Sequence, residues 1–186
     1  MLAAVAFWGV LDHLFIVFAN DYADRDHDQA DARTLFSGGS GVLVDGALKP
    51  RQLLHGAIGA AVCLLLLSLA FAIRSWWILP LGIAAIALLW LYSFGPRVSY
   101  RGGGEFLQGL GVGVVLPLVG FAAQAGQLHS YPFVTLLATF ALAFAGNIAT
   151  ALPDRDVDSR AKKKTWPVKM GVARAAWACA GITLTG

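Results

Sequence analysis

An all-α, polytopic transmembrane helical bundle is the fold class this sequence predicts, and three observations predict it. The first is composition: of 186 residues, 58% are hydrophobic and 13% charged, against roughly 45–50% and about 25% in a typical globular domain. The second is that the charges cluster, leaving residues 56–73, 75–96 and 106–153 with none. The third is length. Crossing about 30 Å of hydrocarbon takes about 20 apolar residues at a rise of about 1.5 Å each, and these stretches meet or approach that. A water-soluble bundle with an all-apolar core is the alternative, and so much uncharged sequence argues against it.

Six helical segments follow in chain order. Residues 1–27 are apolar until they end in acidic residues. They lack the basic leader and small-residue cleavage site of a signal peptide. Residues 51–73 and 76–94 are apolar runs parted at Arg74. The 48 uncharged residues 106–153 would be roughly twice one span as a single helix. They should fold back at "QAGQLHSYP" (124–132), giving helices over 104–124 and 132–153. In the first of these, Gly109, Gly111, Gly113 and Pro117 allow close helix approach and a kink. Residues 170–186 form the last segment, whose 12 residues after Arg174 fall short of the ~30 Å core. The expectation is therefore one transmembrane domain, 1–186, truncated at both ends. Cys63 and Cys179 lie in apolar segments without metal-ligand spacing and are expected to pack.

If the segments alternate in direction, loops 28–50, 95–104 and 154–169 share one side. Thirteen of the 14 Lys and Arg residues fall within 20–52, 95–105 and 154–174, with Arg74 opposite. The excess of positive charge makes that side cytoplasmic, with a bacterial-type plasma membrane as the expected location. Ten of the 11 acidic residues lie there too, Asp12 being the exception. The pI of about 9.1 thus reflects topology, and no nucleic-acid partner is indicated.

The polar chemistry is concentrated in two acidic clusters. "NDYADRDHDQADART" (20–34) carries five aspartates, and "PDRDVDSRAKKKT" (153–165) carries three. Residues four apart share a helix face, so Asn20, Asp24 and Asp28 form one stripe and Asp154 with Asp158 another. Stacked carboxylates repel unless a cation lies between them. A calcium loop is one reading, but Gln29 and Leu35, or Ser159 and Thr165, stand where such a loop needs glycine and glutamate. Simple solvation of a helix end is a second reading, and it suits single residues such as Asp31 or Asp45. Against it, aspartates at a helix C-terminus face the unfavourable end of the dipole. The third is a Mg²⁺ site shared with a phosphorylated substrate, since Mg²⁺ binds through one or two carboxylates plus phosphate oxygens. Arg33, Lys162, Lys163 and Lys164 follow the clusters and would neutralise the remaining phosphate charge. A diphosphate head with a tail suited to an apolar bundle describes a polyprenyl diphosphate.

These residues also carry a family resemblance. "NDYADRDHD" (20–28) is similar to the Asn-Asp-x-x-Asp-x-x-x-Asp motif of the UbiA superfamily of membrane prenyltransferases. "DRDVDSRAKKKTWPVKMG" (154–171) resembles its second motif, Asp-x-x-x-Asp followed by a Gly-Lys-x-Thr-Leu-Pro-Val-like run. "LYSFGPRVSYRGGGEFLQG" (91–109) resembles the loop with its Tyr-x-x-x-Lys element, and "YRGGGEF" looks most like the dihydroxynaphthoate, menaquinone-forming branch. The resemblance implies a bundle of about nine spans, of which about six are here, around a central cavity. It implies Mg²⁺ on Asn20, Asp21, Asp24, Asp28, Asp154 and Asp158, with Asp24, Asp28, Asp154 and Asp158 catalytic. It further implies diphosphate binding by Arg33, Lys162, Lys163, Arg97 and Tyr92, and transfer of a prenyl group to a lipophilic aromatic acceptor such as dihydroxynaphthoate or hydroxybenzoate. Lys162 departs from the family's glycine and Trp166 from its leucine, and Arg97 falls one place later than its lysine.

The expected chemistry follows from charge. Breaking an allylic carbon–oxygen bond leaves anionic diphosphate for cations to hold and a carbocation that must be kept from water. Tyr92, Phe94, Phe15 and Tyr22 lie near that depth, as packing or as an aromatic belt. Asp12, the one carboxylate well inside a span, is a candidate base or a helix contact with His13. A cation-binding transporter, and a prenyl-diphosphate lyase or cyclase, are the rival functions. Transporters, however, place ionisable groups near mid-membrane.

Overall fold

The computed structural model describes residues 2–26 and 39–186. Helix α1 (Leu2–Asp24) has 23 residues, a rod of about 34 Å. Helix α2 (Pro50–Phe71) opens on a proline, where a missing N–H costs nothing because a first-turn N–H has no helical partner. It runs antiparallel to α1: Phe18 lies on Gly56, while the Trp8 indole Nε1–H donates to Ser68 Oγ at 2.8 Å. A Cβ at Gly56 would come within 2.9 Å of the Phe18 ring, so the missing side chain is what lets the two helices close. Ser68 in turn donates to the Leu64 carbonyl, which completes a buried polar link between helices.

Helix α3 (Ile78–Leu89) continues into a π-helical turn, Trp90–Phe94. Gly95 N–H closes that turn on the Trp90 carbonyl at 3.0 Å. A short helix α4 (Val98–Arg101) follows. Helix α5 (Gly104–Leu110), a second π turn (Gly111–Val115) and helix α6 (Leu116–Ala125) make one continuous rod. Its irregularity has a local cause. Pro117 has no N–H to give the Gly113 carbonyl four residues back, and the Thr139 hydroxyl donates to that carbonyl instead, at 2.5 Å. Thr139 belongs to helix α7 (Thr135–Ala151), which comes so close that a Cβ on Gly113 would lie 2.5 Å from the Phe140 Cα. The close approach expected of this glycine–proline stretch is thus present, and the π turn is its irregularity.

Helices α8 (Arg155–Arg160), α9 (Trp166–Met170) and α10 (Val172–Thr185) complete the chain. The six expected segments all appear. Among the described residues, three rods, Leu2–Asp24, Pro50–Phe71 and Gly104–Ala125, are long and apolar enough to cross a membrane, while Ile78–Phe94, Thr135–Ala151 and Val172–Thr185 are apolar but shorter. Large apolar side chains such as Leu66, Leu69, Leu137 and Trp177 point outward, as a lipid-facing surface requires. One local expectation differs. The second acidic cluster does not end α7; Asp154 stands at the start of a separate short helix, with Asp156 and Asp158 in its first turn, the favourable end of a helix for negative charge.

Candidate functional site

Three pieces of chain meet the end of α1: the π turn after α3, α4 with the start of α5, and the α8–α9 segment. Asp24, the last residue of α1, accepts two hydrogen bonds. Tyr100 donates its hydroxyl to Oδ1 at 2.8 Å, and Lys163 Nζ donates to Oδ2 at 2.7 Å. The same ammonium lies 4.0 Å from Asp158 Oδ1, and Thr165 Oγ1 donates to Asp158 Oδ2 at 3.0 Å. One nitrogen therefore bridges the carboxylates of the two acidic clusters.

The turn after α8 aims that lysine. Lys162 has a left-handed backbone, φ +58°, with its N–H on the Ser159 carbonyl and that of Lys163 on the Asp158 carbonyl. This is a Schellman ending, whose left-handed residue is usually glycine. The position is the one where the resembling motif has glycine, so the departure at Lys162 has a backbone meaning. Lys162 itself is exposed. Lys162→Gly is expected to raise stability by about 1 kcal/mol by relieving the left-handed strain, read as a higher thermal midpoint.

The other expected residues divide between the bridge and its surroundings. Asn20 accepts a hydrogen bond from Ser93 Oγ at 3.2 Å, one turn below Asp24. Asp154 presses electrostatically on Asp158. The Arg97 guanidinium stacks 4.0 Å over the Tyr100 ring and donates to the Ala23 carbonyl at 3.4 Å. Tyr92 faces Asn147, within electrostatic reach of Lys163 and Asp24. Asp21 is turned elsewhere: its carboxylate accepts the Ser40 backbone N–H at 3.2 Å and the Ser40 hydroxyl. Asp28 and Arg33 lie outside the described residues.

Sequence reasoning missed Tyr100, Thr165, Asn147 and Ser93. Asn147 had a visible signal, as a lone amide in an otherwise apolar helix two turns before Asp154. Tyr100 had none, because its role depends on the fold of "SYRGGG". There Gly102 is left-handed (φ +88°), and a Cβ on it would lie 2.6 Å from the Lys164 carbonyl. Glu105 is fully buried and accepts the Trp166 N–H at 2.8 Å, serving the otherwise unpaired start of α9.

Burial and charge shape the titration of this cluster. Burial pushes the Asp158 carboxyl above its ordinary value, with Lys163 and Thr165 opposing. The Tyr100 phenol is raised to about 12, first by burial and then by the Asp24 carboxylate it bonds. Burial works against the Lys163 ammonium, but Asp24, Tyr100 and Asp158 outweigh it and raise its pKa. Lys163 is therefore a fixed cation between two carboxylates.

A cavity of about 210 Å³ lies one turn of α1 away from the bridge, reaching Asn20 and Tyr92. Trp8, Asp12, Ile16 and Asn20 line it from α1 at four-residue spacing, facing Leu88 and Tyr92 on one side and Gln108 and Val112 on another. It starts beside Asn20 and Tyr92 and is mainly apolar in its depth.

The UbiA prenyltransferase family matches residues 1–186 of the sequence. The chain belongs to this family. It is 27% identical to the 1,4-dihydroxy-2-naphthoate octaprenyltransferase of Bacillus subtilis over 82% of the chain and 49% of that protein. It is 32% identical to the enzyme of the same name from Mycobacterium tuberculosis, over 84% of the chain and 53% of the relative. To a 4-hydroxybenzoate octaprenyltransferase of Yersinia pseudotuberculosis it is 31% identical, over 82% of the chain and 49% of the relative. The chain thus spans about half the length of the curated relatives it matches. No solved structure gives a significant match. Like other members of this membrane family, it is an integral membrane protein.

The donor set of this UbiA-family chain suits a hard cation. Asn20, Asp24, Asp154 and Asp158 offer oxygen atoms only, and an ammonium already sits between two of the carboxylates. Among the described residues, no three His, Cys, Asp or Glu side chains stand close enough to enclose a metal alone. Further ligands would come from water or phosphate, the usual arrangement for Mg²⁺.

Proposed function

We propose that the protein transfers a prenyl group from a polyprenyl diphosphate to a lipophilic aromatic acceptor, a quinone precursor such as dihydroxynaphthoate or hydroxybenzoate, with Mg²⁺. One observation carries this reading: carboxylates of both acidic clusters converge on a single cation, one turn of α1 beyond a mainly apolar cavity that reaches Asn20 and Tyr92. The names of the relatives support the substrate classes.

In this reading Asn20, Asp24, Asp28, Asp154 and Asp158 hold the metal, with Asp21 behind them fixing the end of α1 to Ser40. Bound Mg²⁺ supplies Lewis-acid stabilisation of the departing diphosphate. Lys163 and Arg97 carry the remaining phosphate charge, with Arg33 and Lys162 flanking and Tyr92 at the cavity mouth. The carbon–oxygen bond breaks towards this cationic rim, so negative charge develops where donors are already oriented. The carbocation forms over the apolar cavity, where water is scarce, the acceptor ring attacks it there, and the proton on the attacked ring carbon passes to the departing diphosphate, restoring the aromatic ring. The site faces the cytoplasm, the side with thirteen of the 14 basic residues, and the host membrane is of the bacterial plasma-membrane type.

The test is thermal. In detergent or nanodiscs, Mg²⁺ and geranyl diphosphate together are expected to raise the unfolding midpoint well beyond the sum of their separate effects, because each completes the other's site. Strictly additive or absent shifts would overturn the reading.

A further inference from the structure

Asp12 is unexplained by the diphosphate site. It lies about 12 Å along α1 from Asn20, eight residues at about 1.5 Å each, well inside a span. A carboxyl at that depth is costly and marks a functional position. It lines the cavity, and Gln108 lines the same cavity from α5. Neither side chain hydrogen-bonds another described residue, and the neighbouring His13, exposed on the helix surface, reaches Asp12 electrostatically only. By contrast, the indole of Trp8, one turn deeper, is already bonded to Ser68.

An isoprenoid tail would leave both polar groups facing hydrocarbon, which is unfavourable for each. A hydroxyl-bearing ligand in this cavity would give each a partner: its O–H can donate to Asp12, and the Gln108 amide can bond a ligand oxygen. A hydroxylated arene seated in the cavity below Asn20 would be held by them with its ring towards the diphosphate site. We infer that Asp12 and Gln108 form the subsite that recognises the acceptor's ring hydroxyl and so sets which edge of the ring is prenylated. The inference rests on the prenyl-transfer reading above, and it makes both specificity-determining positions.

Binding of labelled naphthol and of its methyl ether is measured on the protein in nanodiscs, with empty nanodiscs subtracted. The wild type should prefer naphthol by about tenfold, the worth of one hydrogen bond to a carboxyl group. Asp12→Leu and Gln108→Leu should each bring the ratio towards one, and Asp12→Asn should restore part of it. In turnover, the acceptor KM should rise while the KM for the prenyl diphosphate holds. An unchanged naphthol preference in both leucine variants overturns the subsite. Loss of the prenyl-transfer reading would show separately, as absence of Mg²⁺-dependent geranyl diphosphate binding to the wild type, while the naphthol ratio still decides the subsite.

Discussion

Replacing Asp24 or Asp158 with alanine is expected to lower Mg²⁺-dependent prenyl transfer by about a thousandfold, the scale of losing one pre-oriented group that stabilises developing charge. The two should be far from additive, since both carboxylates address one cation position and either loss opens it. Each also frees a different partner. Asp24→Ala releases Tyr100 and Lys163, whereas Asp158→Ala releases Thr165. The informative controls are their neighbours in the same motifs. Asp26 and Asp156 pair with Arg25 and Arg155 at the surface, with side chains 71% and 77% exposed. Alanine at either should leave the rate within a factor of about two, because exposed pairs contribute little. Steady-state rates with a labelled prenyl diphosphate check this. Near wild-type turnover in Asp24→Ala or Asp158→Ala would remove the site from consideration.

Spacing made the stripe of Asn20 and Asp24 legible, because four-residue periodicity is local and survives folding. The family motif groups Asp21 with them, yet its carboxylate is taken by Ser40, a partner 19 residues away. No periodicity announces that contact. The bridge itself was half legible. A lysine-rich run after the second cluster signals compensation of charge, but which lysine turns inward is decided by the left-handed backbone at Lys162. Tyr100 shows the limit most clearly, since its value lies in the path of a glycine loop that brings it to Asp24. Asp12 was conspicuous as a lone carboxylate in a span, and the cavity gave it an address.

Lys163→Met is the second change with a large expected effect, and its sign depends on the metal. The lysine side chain is 18% exposed and that of Asp24 9%, so the pair is mostly buried. Removing one partner of a fully buried pair costs about 3–5 kcal/mol because the other charge is left stranded. With some solvent access here, roughly 2–3 kcal/mol is expected. That corresponds to a fall of about 4–12 °C in apparent midpoint for a chain of this size. Methionine keeps the apolar length of the side chain, so the loss is chiefly one of charge. Asp24 and Asp158 would then repel across the space that the ammonium filled. A divalent cation is what such a pair attracts, so Mg²⁺ should stabilise Lys163→Met more than it stabilises the wild type. Melting curves across a Mg²⁺ titration measure both quantities. A variant as stable as the wild type, or one that gains no more from Mg²⁺ than the wild type does, would mean that the two acidic clusters meet without forming a cation site.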